Sequence, residues 1–214
     1  MNAITYREIF PLIKDNKLWI GVTNFNVGMY FYVPDSFVYA STYKFEREMD
    51  GRKVNRVPGT CWYTNIDHGK RHSFLPLMTM ADNLKYSRHK EIHENNYQKY
   101  DNYDAIEVPF ADAIPSDYEG VMGVPISFLD KYCPEQFEII ALGNSRDNFT
   151  PTKDYVNPKK HMKNGAIVSG GAINCVLAIE QNEAPSGVVY YTSDNSKFLV
   201  PPYARILIKA KEIK

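Results

Sequence analysis

Thr5-Tyr-Arg-Glu-Ile-Phe-Pro-Leu-Ile-Lys-Asp-Asn-Lys-Leu-Trp-Ile-Gly-Val22 is the stretch that decides the fold class. Thr5 and Glu8 stand three residues apart, the spacing of a capping box, in which each side chain satisfies a free N–H at a helix start. Ile9, Leu12 and Ile13 then share one helical face, so the spacing predicts a helix over residues 6–15. Lys14 and Lys17 suit its C-terminal end, where the helix dipole favours cations. Residues 18–22 are too few for a helix and rich in strand formers. A helix running directly into a strand is an α/β unit, or half of one. Such a unit normally opens with a strand, and only residues 1–4 precede this helix, so the chain reads as starting in the middle of a unit.

Outward from this unit, the alternation and turn signals predict strands at 30–33, 60–66, 103–108, 118–125 and 137–143. Residues 34–59 read as a hairpin or loop turning at Asp50-Gly51, and 126–132 as a short helix. Residues 67–102 are polar and without clear periodicity, and 144–163 are polar and turn-rich. Short strands are expected at 166–168, 172–179, 188–192 and 203–209, making the C-terminal half mostly β. No internal repeat or low-complexity tract is present.

Bulk properties narrow the class. A chain of 214 residues with 44% hydrophobic content can bury one good core or slightly more. No apolar run approaches the ~20 residues that span a bilayer. The N-terminus has no basic region followed by an apolar one, as a secretory signal would. Cys61, Cys133 and Cys175 are odd in number and widely spaced, which fits a reducing cytoplasm and neither disulfides nor a Cys-ligated zinc. Net charge is zero, so no global field draws in DNA or membranes. Locally, residues 68–90 carry Lys70, Arg71, Lys85, Arg88 and Lys90 against Asp82, whereas 91–119 carry eight carboxylates against Lys99. This gives either a directional surface field or two segments that pair with each other. The 16 Tyr and 11 Phe fit either binding faces or the half-buried faces of sheets.

The segment richest in chemistry is Thr60-Cys-Trp-Tyr-Thr-Asn-Ile-Asp-His-Gly-Lys-Arg-His72. It reads as a buried strand that delivers a polar, basic loop to a surface, and aromatic faces beside cations suit a flat polyanion such as nucleic acid. Two HxxxH pairs, His68/His72 and His89/His93, could ligate zinc from one helical face. However, Gly69 interrupts the first, and neither has a third ligand, so no metal site is assigned. Cys61 in an apolar strand reads as structural rather than nucleophilic. Ser169-Gly170-Gly171 lacks the spacing of a phosphate cradle, and no GxSxG, Walker lysine or HExxH motif occurs. Val200-Pro-Pro-Tyr203 echoes an amino-group methyltransferase signature, but its valine cannot accept the hydrogen bond that signature needs.

Several blocks resemble the C-terminal two-thirds of the EcoRI-type adenine-specific DNA methyltransferases. They are Asn2-Ala-Ile-Thr-Tyr-Arg-Glu-Ile-Phe-Pro-Leu-Ile-Lys14, Trp62-Tyr-Thr-Asn-Ile-Asp-His68, Tyr100-Asp-Asn-Tyr-Asp-Ala-Ile106 and Gly120-Val-Met-Gly-Val-Pro-Ile-Ser-Phe-Leu-Asp-Lys-Tyr132. Phe137-Glu-Ile-Ile and Tyr203-Ala-Arg-Ile-Leu-Ile208 follow in the same order. The resemblance implies an α/β fold. The C-terminal part of a Rossmann-like S-adenosylmethionine-dependent methyltransferase sheet would occupy 1–99, and a mostly β target-recognition region 100–214. It implies methyl transfer to N6 of an adenine flipped from double-stranded DNA, in a restriction-modification system. The family's cofactor loop and Asn-Pro-Pro-Phe motif lie upstream of the matched blocks. No catalytic residue therefore carries over, and this chain is expected to need an N-terminal catalytic portion. Asn2 is expected to border the cofactor pocket, and Trp62, Tyr63 and Asn65 to hold the target base. Arg52, Lys53, Arg56, Lys70 and Arg71 are the candidate phosphate contacts. The alternative is a non-catalytic remnant of such an enzyme that binds DNA or a partner protein.

Overall fold

In the computed structural model the described residues are 3–23, 27–144 and 149–212. The first strand–helix signal is realised in part. A 3-10 turn at Ala3–Thr5 leads into α1 (Phe10–Lys14), and β1 (Trp19–Ile20) follows. The helix starts later than its apolar spacing predicts because Pro11 fixes the first turn, and Ile9 is its N-cap without a side-chain bond. The Thr5/Glu8 capping box therefore does not cap it. A side-chain N-cap forms instead at Thr79, whose hydroxyl accepts from Asp82 N at 3.1 Å and donates to the Asp82 carboxylate at 2.7 Å. It opens α2 (Met80–Tyr86), and α3 (Lys90–Asn95) follows, so the unassigned 67–102 segment holds two short helices.

Next along the chain after β1 come β2 (Met29–Tyr32), β3 (Glu48–Met49), β4 (Arg52–Val57) and β5 (Tyr63–Thr64). β2, β4 and β3 form a three-stranded antiparallel sheet, and β1 pairs with β5. The β3–β4 hairpin turns at Asp50 and Gly51, whose φ values of 51 and 68° match the strand twist.

The centre of the protein is a four-stranded sheet. Its strands are β6 (Ala105–Glu107), β7 (Val121–Pro125), β8 (Phe137–Leu142) and β14 (Arg205–Ala210), in the order β6-β7-β14-β8. β6 and β7 are parallel, and the other pairings are antiparallel. β14 explains why both faces are covered. Ile206 and Ile208 point into a core with Ile4, Phe10, Ile13, Ile20, Ile92 and Phe128. Leu207, one residue out of phase, packs on the opposite face with Tyr100, Leu177 and Ile179. All three are fully buried, each contributing about 1.5–3 kcal/mol by leaving water.

The remaining strands are β9 (Lys159–His161), β10 (Ile167–Ser169), β11 (Ile179–Gln181), β12 (Tyr190–Ser193) and β13 (Ser196–Val200). They form a five-stranded antiparallel sheet in the order β10-β9-β12-β13-β11, over a small core of Tyr155, Ile173, Ala178, Tyr191 and Leu199. The strand expected at 172–179 is corrected here. Gly171–Cys175 is a 3-10 turn that puts Ile173 in this core, and the strand begins only at Ile179. Of the segment expected at 144–163 to be turn-rich, 145–148 lie outside the described residues, and 159–161 form β9. The result is a mixed α/β protein with several sheets and few helices.

Candidate nucleic-acid interface

The register of the β1–β5 pair places the chain's two tryptophans. Trp19 lies opposite Thr64, and Gly21 N donates to the Trp62 carbonyl at 2.8 Å. Residues opposed across antiparallel strands share a face, as do residues two apart. Trp19, Gly21, Trp62 and Thr64 therefore share one face, and Ile20, Cys61 and Tyr63 the other. The second face packs on the main core. On the first, Trp62 is 62% exposed.

Trp62 and Tyr63, read together in the sequence, thus point in opposite directions. Burial, with the Cys61 thiol beside it, raises the Tyr63 phenol well above the usual range, and the Ile4 backbone is a partner of its hydroxyl. Burial also raises the Cys61 thiol, keeping it protonated. Asn65 is exposed directly after β5. Asn2 lies outside the described residues; Ile4 and Thr5, two and three positions further on, are buried, Ile4 in the main core.

The loop after β5 is clipped onto β1. Trp19 Nε1 donates to Ile66 O at 3.1 Å, and His68 Nε2 to Ile20 O at 3.0 Å. Lys70 Nζ reaches Val22 O at 3.4 Å, and Arg71 Nη2 donates to Asn16 Oδ1 at 2.9 Å. The Arg71 guanidinium lies 3.8 Å from the Trp19 ring centroid and 3.6 Å from Asp67. Among the described residues, His68 Nδ1 and Arg71 Nε are buried without a partner, beside a cavity of about 10 Å³, the size of one water molecule.

His72 sits between two carboxylates, with Nε2 2.9 Å from Asp67 and Nδ1 2.8 Å from Glu135. Their hydrogen bonds raise its pKa; the His72 hydrogen bond in turn holds the Asp67 carboxyl low, and Glu135 is held low first by the Cys133 thiol, 3.1 Å away, and then by His72. The neighbouring Gln136 side chain closes a two-bond clasp on the Leu75 backbone. The histidines of the first HxxxH pair thus turn to different partners. Among the described residues no group of three metal-ligating side chains occurs.

Arg52, Lys53 and Arg56 lie together on β4. Arg52 is exposed and stacks 3.5 Å from the Tyr32 ring centroid. Lys53 donates to Asp35 O at 2.6 Å and Phe37 O at 2.5 Å. Arg56 lies over Phe45 at 4.3 Å and bonds Val27 O. Lys53 and Arg56 therefore tie the 34–47 segment to the sheet as well as carrying charge. The basic and acidic segments partly pair, with Arg88 2.7 Å and His89 2.9 Å from Asp112. Sequence reasoning could not see the shared face of Trp19 and Trp62 or the Arg71–Trp19 stack, because both depend on strand register.

This surface sits in a chain with recognisable relatives. It is 46% identical over 143 residues to the Type II methyltransferase M.EcoRI of Escherichia coli, covering 65% of this chain and 40% of the relative. It is 36% identical over 139 residues to the Type II methyltransferase M.MpnI of Mycoplasma pneumoniae, covering 64% and 40%. The chain thus spans about two-fifths of the length of the relatives it matches. No solved structure matches it significantly. The family model described as adenine-specific methyltransferase EcoRI matches residues 1–211, and the chain belongs to that family.

Proposed function

We propose that the chain is part of a DNA adenine-N6 methyltransferase of a restriction-modification system, acting in the cytoplasm on double-stranded DNA with S-adenosylmethionine as methyl donor. Its share is to hold the extruded adenine and to grip DNA, and a catalytic portion containing the cofactor loop completes the enzyme. Residues 1–99 would belong to a Rossmann-like catalytic domain, and 100–214 to the recognition region. The observation that carries this reading is the 62% exposure of Trp62 on a face whose neighbouring loop brings Lys70 and Arg71. An aromatic ring open on one side stacks on a base of any identity, for about 1–3 kcal/mol.

In this reading Trp62 stacks on the adenine and Asn65 meets its polar edge. Tyr63, from the other face, supports the strand carrying both. Lys70 and Arg52 face phosphates; Arg71, with 12% of its side chain exposed and held by Asn16, Asp67 and the Trp19 ring, adds field behind them with Lys53 and Arg56. S-adenosylmethionine would supply the methyl group. No step is assigned to a residue of this chain at that cofactor.

The test is single-turnover methylation by the enzyme completed with its catalytic portion. Trp62→Ala is expected to remove methyl transfer while duplex affinity stays within a few-fold. Loss of non-specific duplex binding to the same extent would make Trp62 a fold residue and end the reading.

A further inference from the structure

The β9–β10 hairpin closes one edge of the five-stranded sheet, and there the surface changes character. Residues 155–179 contain no carboxylate, while Lys159, Lys160, His161 and Lys163 fall within five positions. Every residue from 162 to 169 is exposed, including the apolar Met162, Ile167 and Val168. β10 is therefore uncovered on both faces and forms the edge of the sheet, and the exposed turn at 162–166 joins it to β9, which pairs on its other side with β12. Among the described residues, Lys159 and Lys163 make no ion pair.

The hairpin is ordered by its own bonds and by the pairing of β9 with β12. Ile167 pairs with His161, Val168 with Lys160 and Ser169 with Lys159. Met162 N donates to Ala166 O at 2.8 Å, and Gly165 N to Met162 O at 2.9 Å. Gly165, at φ +84°, supplies the tip conformation that a side chain would strain. Asn164 Oδ1 accepts from Ala166 N at 3.2 Å. The root is anchored by His161, which stacks on Tyr190 at 4.5 Å and 5° and meets Thr192 Oγ1 at 3.0 Å. Lys160 faces the sheet, over Tyr191 at 5.9 Å, leaving Lys159 and Lys163 as the outward cations.

We propose that this hairpin reads the target sequence from the major groove of duplex DNA. Lys159 and Lys163 hold phosphates, and Asn164 and Ile167 meet base edges. The inference rests on the DNA reading above and assigns a role within it to residues outside the Trp62 face. A major groove about 12 Å wide can take the exposed turn and edge strand of this hairpin, an amide can recognise adenine there, and an apolar side chain can meet a thymine methyl. A carboxylate-free hairpin with unpaired lysines at root and tip complements the charged groove walls.

The test is binding of a labelled duplex by this chain, read by fluorescence anisotropy across salt concentrations. A Lys159→Ala/Lys163→Ala double variant should reduce the slope of log K against log salt by ~1.8, at ~0.9 per phosphate contact. A Lys209→Ala/Lys211→Ala control removes the same charge beside Glu138 and Glu212 and should leave the slope unchanged. An unchanged hairpin variant, or a control that loses as much, overturns the proposal. Selection from a randomised duplex pool tests the base contacts. Asn164→Ala/Ile167→Ala should lose preference at one or two adjacent base pairs, and an unaltered enriched sequence overturns the reading role. Wild-type chain without duplex affinity would defeat the DNA reading and this proposal together. If Trp62→Ala and Lys70→Ala alter binding or transfer and the hairpin variants do not, only this proposal falls. All the substituted hairpin positions are exposed, so matching thermal melts separate binding loss from misfolding.

Discussion

Glu107 on β6 and Arg205 on β14 meet across the strand between them. Arg205 Nε donates to Oε1 at 2.9 Å and Nη2 to the same oxygen at 2.6 Å, and the Tyr100 hydroxyl donates to Oε2. The intervening strand offers Gly123 at this point, opposite Glu107 in the register. Its missing side chain leaves the space the Tyr100 hydroxyl occupies. The ion pair is buried, with 12% of the Arg205 and 9% of the Glu107 side chain exposed. It ties strands widely separated in sequence into one sheet. Glu107→Ala would leave Arg205 buried without its counter-charge, so a loss of about 3–5 kcal/mol is expected in urea unfolding. A loss under about 1 kcal/mol would show that the pair does not hold the sheet.

Gly123→Ala probes the same junction from the backbone side. An added methyl collides with Tyr100 and pushes its hydroxyl off Glu107. Overpacking of this kind costs about 1–3 kcal/mol. Because both changes break one network, the double variant with Glu107→Ala should lose less than the sum of the two. Strict additivity in denaturant titrations would mean that Tyr100, Glu107 and Arg205 do not act as a unit.

Trp62 and Tyr63 are adjacent in sequence, but their variants should separate cleanly. Trp62→Ala removes an exposed ring and should shift stability by no more than about 0.5 kcal/mol. Tyr63→Phe removes a half-buried hydroxyl that engages Cys61 and the Ile4 backbone, and should cost about 1 kcal/mol. Methyl transfer in the completed enzyme should follow the reverse order, collapsing for Trp62→Ala and surviving in Tyr63→Phe. Thermal melts beside transfer assays decide it, and parallel losses in both would dissolve the distinction between an exposed and a core-facing residue.

How far the sequence disclosed these features follows from the range of the forces involved. The Asp50-Gly51 turn, the β8 strand and the short helix at 126–131 were legible because turn chemistry and apolar runs act locally. Placement of α1 failed where Pro11 outweighed a capping pattern, and the 172–179 run formed a 3-10 turn because tertiary packing on Tyr155, Tyr191 and Leu199 claimed Ile173. At the candidate site, residue types disclosed Trp62, Lys70 and Arg71 as a group. The opposed directions of Trp62 and Tyr63, the partnering of Arg71 with Trp19, and the tying of Lys53 and Arg56 to local backbone all depend on register and long-range contacts.

The bridge of His72 to Asp67 and Glu135 makes the Trp62 loop sensitive to pH. A neutral imidazole carries one N–H and can donate to only one carboxylate, so the double contact needs the imidazolium. The hydrogen bonds to Asp67 and Glu135 raise the His72 pKa, so its contribution to stability is complete below the ordinary value of about 6.5 and is lost as pH rises through the raised folded value. Asp67 and Glu135 shift the other way. Their contribution is present above the ordinary carboxyl range of about 4 and is lost as pH falls through their depressed folded values. The loop is therefore best fastened between about pH 4.5 and 6.5 and loosens above it. NMR titration of the His72 imidazole should give a pKa above that of a free histidine, and Glu135→Gln should lower it. His72→Gln should remove the decline in stability over the alkaline side of this window. A His72 titration at the ordinary value, unmoved by Glu135→Gln, would show that the bridge does not persist in solution.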